Sequence, residues 1–275
     1  ELPEPAGIIE KIGRYGPDEL NQFNNAETRD LYNELLYLLG RFKYNSGDFD
    51  GAVTLFRQVS RQSREYVQSR FFEGITHVRM RRADPAQRSF REILRAIDEG
   101  VEGVEDEDRM EQLAWLSLGR IYYSTRHFPA AIEAWNRIAP DSEYWLDALF
   151  EESWAFYMTD TYDRALGNVH TLNSPFFPSS FYPESLLLKA VIYFTHCQYE
   201  NAQLVVENFS HTFEPLRREL EEHLHQFQDN TQFFEFLRRV RENRANLPRT
   251  IRPIVETALG DRTLLRNIAY VRILE

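Results

Sequence analysis

Cysteine, lysine and long apolar runs are scarce in this chain. A single cysteine, Cys197, excludes an internal disulfide framework. No run of about 18 apolar residues occurs, so the sequence predicts no transmembrane segment in this chain. The first residues, Glu1 to Pro5, lack the basic and apolar stretch of a signal peptide. Because removal of a signal would leave the same start, the cytoplasm and the periplasm or cell envelope both stay open.

Motifs that carry enzymatic chemistry are also missing. The sequence has no glycine-rich phosphate loop, no nucleophile elbow and no zinc-finger spacing. His223 and His225 are separated by two positions, whereas two metal ligands on a helix need a separation of roughly three or four. The adjacent carboxylates of Glu151 and Glu152 are expected to contact water, which does not favour a general acid. We therefore expect no enzyme, no metal site and no cofactor.

Positive charge is outnumbered and unevenly distributed. The net charge of −11 argues against nucleic-acid binding, which needs a surplus of lysine and arginine on one face. Residues 57–95 nevertheless carry ten arginines against four acids, and residues 98–111 carry eight acids. Two interpretations stay open: neighbouring segments pair these charges, or the charged faces orient a partner. The excess of 29 arginines over three lysines indicates a bacterial source with a GC-rich genome.

Five copies of one pattern are present against this background. Each copy is centred on an alanine: Ala52, Ala86, Ala131, Ala165 and Ala202. Twelve residues before the alanine stands a small residue: Gly40, Gly74, Gly119, Ser153 and Ala190. Four residues after it stands a large apolar residue: Phe56, Phe90, Trp135, Val169 and Val206. Seven residues after it stands another: Val59, Ile93, Ile138, Leu172 and Phe209.

The spacing of the alanines predicts a repeat architecture. Successive alanines are 34, 45, 34 and 37 residues apart, which is a period of 34 with insertions of 11 and 3. Such a period is typical of a solenoid. Within one copy, the small residue on a first helix and the alanine on a second would let two antiparallel helices approach closely, while the large apolar side chains interlock across the contact.

The pattern resembles the tetratricopeptide repeat (TPR) over about residues 33–216. Repeat three carries the signature residues of the family in order: Trp115, Leu118, Gly119, Tyr122, Ala131 and Trp135. The proline that usually ends a repeat is missing from repeats one to four. The resemblance implies an all-α fold, a right-handed α-solenoid of five TPR-like helix pairs with C-terminal capping helices. It also implies a scaffold or adaptor of bacterial type.

Three parts of the chain are expected. Residues 1–25 read as an irregular lead, and residues 26–214 as the solenoid, with repeats from about residues 33, 67, 112, 146 and 183. Residues 215–275 read as capping and extension helices, with Pro215 in a first turn and Thr250 and Asp261 as later caps. The acidic insertion from Val101 to Glu111 is expected to be a loop. The aromatic insertion at 173–182 is expected either to fold back on the body or to form a contact patch.

In proteins that resemble this one, the first helices of the repeats line a concave groove. Carrying the inward positions over to this sequence gives an aromatic-rich set that we expect to bind a partner: Tyr37, Arg41, Tyr44, Phe71, Ile75, Leu116, Arg120, Tyr123, Phe150, Trp154, Tyr157 and Phe194. Aromatic and arginine side chains are enriched at binding hot spots. The alternative is that these aromatics are packed inside the superhelix.

Two functions follow from this reading. The first is a non-catalytic scaffold that binds a partner peptide or helix through the groove, in a complex of the bacterial cell envelope. The alternative is a regulatory domain of a longer protein that senses a small ligand or a peptide. Self-association stays open as well, because the exposed ends of solenoids can stack.

Overall fold

The chain is helical throughout its described part. The computed structural model describes residues 20–101, 104, 106–177, 181–227, 229–242, 244, 247–248 and 250–259. Helices and turns account for their regular structure, and no strand occurs among these residues, which confirms the predicted all-α class. The chain divides into two compact units, Glu1–Thr159 and Asp160–Glu275.

Helices of 8 to 26 residues follow one another along both units. Those of the first unit are α1 (Arg29–Asn45), α2 (Phe49–Gln58), α3 (Tyr66–Arg79), α4 (Ala83–Asp98), α5 (Glu107–Ser124), α6 (Phe128–Trp135) and α7 (Trp145–Met158). Those of the second unit are α8 (Tyr162–Leu172), α9 (Pro183–Thr195), α10 (Tyr199–Leu224), α11 (Asn230–Arg241) and α12 (Arg252–Leu259).

The first unit has the neighbour relations of an α-solenoid. Each helix from α1 to α7 packs against the next one along the chain. The first helices of the pairs, α1, α3, α5 and α7, also contact one another in order. One side of the unit is therefore built from first helices alone, which is the side that the repeat pattern predicts for binding.

The small residue of each early copy makes room for an aromatic ring of the same copy. The nearest approach of an added Cβ to that ring would be 2.6 Å for Gly40 and Phe56, 2.7 Å for Gly74 and Phe90, and 2.3 Å for Gly119 and Trp135. Contacts this short do not occur in close-packed interiors, so a larger residue would force the helices apart. The small residue therefore has two roles. It lets the two backbones approach closely, and it leaves room for the ring that stands four positions after the alanine.

One turn conformation ends the first helix of every copy. The residue five positions before the alanine has a positive φ in all five: Gly47 (84°), Arg81 (57°), Arg126 (62°), Asp160 (56°) and Cys197 (57°). The next amide then donates back to the helix, as Asp48 does to the Lys43 carbonyl and Gln198 to the Tyr193 carbonyl. In the first, second, third and fifth copies these are Schellman helix ends. Only Gly47 is of the type that adopts a positive φ without strain.

The fifth copy is packed less tightly than the other four. Four residues after the alanine, Phe56, Phe90, Trp135 and Val169 are at most 3% exposed, whereas Val206 is 55% exposed. Seven residues after it, the first four copies are also buried, while Phe209 is exposed. The pattern therefore continues in the sequence of the fifth copy without its usual burial.

The second unit contains one further helix pair and a small separate core. α8 packs against α9, and α9 pairs with α10. α11 and α12 enclose Leu237, Val240 and Ile251, and Leu220 of α10 packs against this cluster.

The prediction that Pro215 begins a new helix is wrong. α10 covers 26 residues and continues through Pro215. Proline has no amide hydrogen, so the carbonyl of His211 loses its helical partner. Both residues are exposed, which lets water bind the freed carbonyl.

Two other sequence predictions need correction. Thr250 does not cap α12, which begins at Arg252, and its hydroxyl instead lies 2.8 Å from a carboxylate oxygen of Glu219. The acidic insertion is not a loop to its end, because α5 begins at Glu107. Acidic residues in a first turn stabilise a helix N-terminus, and Glu107 and Asp108 occupy that turn. Residues 1–19 of the predicted lead at 1–25, and the helix predicted after Asp261, lie outside the described residues.

Candidate functional site: a binding surface on the first helices

Three aromatic rings and one arginine meet where α1 contacts α3. The ring centroid of Phe72 lies 5.8 Å from that of Tyr37 and 6.2 Å from that of Tyr44. The guanidinium carbon of Arg41 lies 5.5 Å from the Tyr37 centroid and 5.2 Å from the Phe72 centroid, within cation–π range. Tyr37, Arg41, Tyr44 and Phe72 are called the Arg41 patch. All four are half-buried, so they pack together and still present a face to solvent.

The Arg41 patch carries positive charge that the described residues around it do not neutralise. Arg41 has no carboxylate partner within the described part of the chain. The same holds for Arg79, whose Nε donates to the Tyr44 hydroxyl at 3.4 Å. A planar guanidinium beside aromatic rings is suited to a carboxylate whose neighbours are apolar.

A pocket of about 420 Å³ lies between α5, α6 and α7. Its lining residues are Arg120, Tyr123, Trp135, Glu151 and Trp154, and they are called the Arg120 pocket. Nε of Arg120 lies 2.8 and 2.9 Å from the two carboxylate oxygens of Glu151, and Nη2 lies 2.5 Å from Oε1. This bidentate geometry is that of an ionised pair, so the charge of Arg120 is compensated inside the pocket.

Burial determines the protonation chemistry of the Arg120 pocket. It raises the pKa of the Glu151 carboxyl group, and the hydrogen bond from Arg120 opposes that rise. Burial acts to lower the pKa of Arg120, but the hydrogen bond to Glu151 and the negative charges of Glu151 and Asp147 together outweigh it, and the pKa is raised. Burial also raises the pKa of the Tyr123 hydroxyl. The pocket thus offers uncharged aromatic walls around one compensated ion pair.

Most of the predicted groove residues lie in the Arg41 patch, in the Arg120 pocket or beside that pocket. Tyr37, Arg41 and Tyr44 belong to the Arg41 patch. Arg120, Tyr123 and Trp154 belong to the Arg120 pocket, and the Tyr157 ring lies 6.2 Å from the Trp154 ring. Phe150 is half-buried on the same helix, α7.

The remaining predicted groove residues have other surroundings. Leu116 is 2% exposed and packs with Ala131, Trp135 and Ala148. It is therefore a core residue, and the prediction that it lines the groove is wrong. Phe71 and Ile75 are half-buried against the core of the second and third copies. Phe194 belongs to the second unit and is exposed, with its ring 5.3 Å from that of Tyr199.

Sequence reasoning missed three residues of this surface. Phe72 and Glu151 each stand one position after an inward position of their repeat, so the family pattern did not select them. Trp135 was assigned to the helix contact, and it also lines the Arg120 pocket. The ten arginines of residues 57–95 could have predicted ion pairs between helices, because an arginine on one helix can pair with an acidic side chain on the neighbouring helix.

The arginine-rich segment is largely paired within the first unit. Arg57 and Arg70 each lie 2.8 Å from the buried carboxylate of Glu73, and Arg61 lies 2.5 Å from Glu99. Arg82 reaches Asp50 at 3.3 Å. Of the two interpretations of these charges, the contacts favour pairing between neighbouring segments.

The described residues also bear on metal binding, on the aromatic insertion and on membrane crossing. No group of three or more histidine, cysteine, aspartate or glutamate side chains that could hold a metal ion occurs among the residues that the structure covers. Of the aromatic insertion, Phe177, Phe181 and Tyr182 line a cavity of about 250 Å³ with Phe213, while Phe176 is 89% exposed. None of the helices described here is both long and apolar enough to cross a membrane.

These features define a helical-repeat protein with an aromatic surface on its first helices. Two crystal structures of MamA match the chain with TM-scores of 0.53 and 0.56 at 17% and 16% sequence identity. The matches cover 66% and 68% of this chain and 97% and 94% of the MamA chains. The crystal structure of BtubC (BKLC) from P. vanneervenii matches with a TM-score of 0.50 at 14% identity, over 83% of this chain and 95% of that one.

The structural matches establish the fold. The chain has a helical-repeat α-solenoid fold like that of these structures, and its membership of the TPR family stays a prediction. No family model matches the sequence, and neither does any curated protein.

Proposed function

We propose that this chain is a non-catalytic protein-binding scaffold that holds a peptide or helix of a partner on its first-helix surface. The observation that carries the proposal is the Arg120 pocket, in which Tyr123 and Trp154 form the walls and the charge of Arg120 is already matched by Glu151. Such a pocket suits an apolar side chain that enters without leaving a buried charge unpaired.

The Arg41 patch supports the same proposal and adds a preference for a negatively charged partner. Arg41 and Arg79 carry charges that the described residues leave uncompensated, beside rings that accept apolar contact. We therefore propose a partner segment that carries an apolar anchor for the Arg120 pocket and at least one acidic side chain for the Arg41 patch. Electrostatic complementarity of this kind mainly accelerates association and fixes orientation.

The test compares binding by the intact protein with binding by a double variant, Tyr123→Ala with Trp154→Ala. Partners captured from the source cell are identified first, and the affinity for each purified partner is then measured by titration calorimetry. Removing two aromatic anchors is expected to weaken binding by at least tenfold, which corresponds to about 1.4 kcal/mol.

Leu31→Ala provides the control, because Leu31 is exposed on α1 and belongs to neither the Arg41 patch nor the Arg120 pocket. It is expected to bind like the parent protein. Equal affinities of the parent and the double variant for every partner would refute the proposal. The acidic preference has its own test: Arg41→Gln is expected to lower the association rate and to reduce its dependence on salt.

The proposal includes a setting in a complex of the bacterial cell envelope, which stays a prediction from the general character of the sequence. Fractionation of the source cells tests it. Recovery of the protein with the envelope supports the setting, and recovery only with the cytoplasmic fraction contradicts it without affecting the binding surface.

A further inference from the structure

The last helix pair exposes apolar positions that the first pair covers. In the first copy, Phe72 of the following helix packs on three rings: Tyr37 at 5.8 Å, Tyr44 at 6.2 Å and Phe56 at 5.8 Å between centroids. The same repeat positions in the fifth copy are all more than half exposed, and they hold Leu187, Phe194 and Val206. No earlier copy exposes more than one of these three positions.

Tyr199 joins these positions into one continuous surface. Its ring is 57% exposed and lies 5.3 Å from that of Phe194 between centroids, where the chain passes from α9 to α10. Leu187 and Phe194 are seven residues apart on α9, as are Tyr199 and Val206 on α10. Because seven residues make about two turns and 10 Å of helix, the members of each pair lie on one side of their helix. These four residues are called the α9–α10 face.

The α9–α10 face stays open because α10 does not end where the earlier second helices end. α2 ends at Gln58, six residues after Ala52, and α8 ends at Leu172, seven residues after Ala165. α10 continues to Leu224, which is 22 residues after Ala202. The described helices of the second unit therefore leave this face uncovered.

The charge around the α9–α10 face is negative. Between residues 183 and 213 the acidic residues are all exposed: Glu184, Glu200 and Glu207. The last two directly follow residues of the face on α10, and the first lies one turn from Leu187 on α9. No basic side chain pairs with them in the described part of the second unit. Lys189, the one lysine or arginine of this stretch, lies over the Tyr193 ring, about 200° around α9 from Leu187.

Shape and charge together specify the occupant of this face. In the first copy the equivalent positions are covered by a helix, α3, through the ring of Phe72. A helix with an apolar stripe therefore fits the α9–α10 face, and positive charges at the edges of that helix would meet the three glutamates. Two copies of the face itself would bring like charges together, which disfavours self-association at this surface.

We propose that the α9–α10 face binds a basic amphipathic helix of a partner protein. The bound helix takes the place that the first helix of a next repeat would occupy. This surface is additional to the one on the first unit and has the opposite preference, because the Arg41 patch suits an acidic segment and the α9–α10 face a basic one. The two proposals stand or fall separately.

A synthetic peptide tests the surface directly. The probe has about 18 residues, or five turns of helix, with leucines along one side and arginines beside them. Its affinity for the intact chain is measured by the fluorescence anisotropy of a dye on the peptide. A second peptide has the same composition in shuffled order, so it keeps the charge and loses the stripe. The shuffled peptide is expected to bind about tenfold more weakly or worse.

Two matched substitutions on α10 locate the binding. Val206→Asp places a carboxylate within the α9–α10 face and is expected to weaken binding of the striped peptide by about tenfold. Leu204→Asp adds the same charge at a residue that is 62% exposed and points about 200° away around the helix. It is expected to bind like the parent chain, and circular dichroism should show equal helix content in both variants.

A second pair of variants tests the charge preference. Glu200→Gln with Glu207→Gln is expected to weaken binding by about threefold at low salt and to reduce the dependence of affinity on salt. Glu27→Gln with Asp84→Asn removes the same charge from exposed positions of the first unit. This control is expected to have a smaller effect on both quantities.

Three results would overturn the proposal. The first is equal binding of the striped and shuffled peptides, and the second is an equal effect of Val206→Asp and Leu204→Asp. The third is a lack of saturable binding by the intact chain, in which case sedimentation equilibrium shows whether a second copy covers the face. Tyr123→Ala with Trp154→Ala is expected to bind the peptide normally, and a loss of affinity in that variant would move the peptide to the first unit.

Discussion

The first copies of the repeat and the fifth copy share one sequence pattern but differ in burial. Phe90 in the second copy is fully buried, whereas Val206 at the same position of the fifth is 55% exposed. Both copies end their first helix with the same left-handed turn, at Arg81 and at Cys197. The end of the first helix is therefore the same in both copies, and they differ in the burial of the second helix.

The comparison separates two pieces of information in the pattern. The small residue and the ring four positions after the alanine touch each other inside one helix pair, as Gly40 and Phe56 do. The same ring also touches the next pair, as Phe56 does where Phe72 stacks on it at 5.8 Å between centroids. In the fifth copy α9 and α10 still pack against each other, whereas Val206 at this position is not covered.

The largest expected effect is that of Phe90→Ala. The ring is fully buried against Gly74 and the second-copy core, so its removal leaves a cavity. We expect a loss of about 3–5 kcal/mol in the free energy of unfolding, measured by urea denaturation. A loss below 1 kcal/mol would show that the second copy is no better packed than the fifth.

Two glycine substitutions should act in opposite directions. Gly74→Ala would place a Cβ 2.7 Å from the Phe90 ring, and we expect it to destabilise the protein by about 1–3 kcal/mol. Gly167→Ala, inside α8, meets no atom within 4 Å. It should stabilise by about 0.5–1 kcal/mol, because alanine is the better helix former. Equal signs in denaturation experiments would contradict the packing argument.

The same substitution at the same repeat position tests burial directly. Val169→Ala removes two buried methyl groups, and we expect a loss of about 1–2 kcal/mol in thermal or urea unfolding. Val206→Ala in the fifth copy should change stability by less than about 0.5 kcal/mol, because the side chain is 55% exposed. A larger loss at Val206 would show that the residue is covered in solution.

The smallest effect concerns pH. Burial lowers the pKa of His77, with Glu73 opposing the shift, and Nη2 of Arg57 lies 3.3 Å from its Nε2. Below about pH 6.5 the unfolded chain binds a proton that the folded protein does not yet bind, so stability falls as the pH decreases towards the folded pKa. His77→Gln should show a shallower decrease between pH 7 and pH 5. An unchanged slope would mean that His77 is not the group responsible.

Much of the fold could be predicted from the sequence, because the spacing of the alanines reports contacts inside one helix pair. The spacing predicted the helical repeats and the positions of Tyr37, Arg120 and Trp154 on first helices. It did not predict the burial of Leu116, which depends on the rotation of α5 against its neighbours. The pairing of Arg120 with Glu151 was missed for a similar reason, since two residues 31 positions apart meet only when the helices have packed.

The left-handed residue that ends each first helix has a consequence for folding. Every turn is closed by hydrogen bonds between residues five apart or fewer, such as Asp48 to Lys43 and Gly47 to Tyr44. Each hairpin of helices can therefore assemble from its immediate neighbours in sequence, without waiting for distant parts of the chain. Proteins dominated by such local contacts cross their folding barrier rapidly, and helical arrays can begin to order at any hairpin and spread from it.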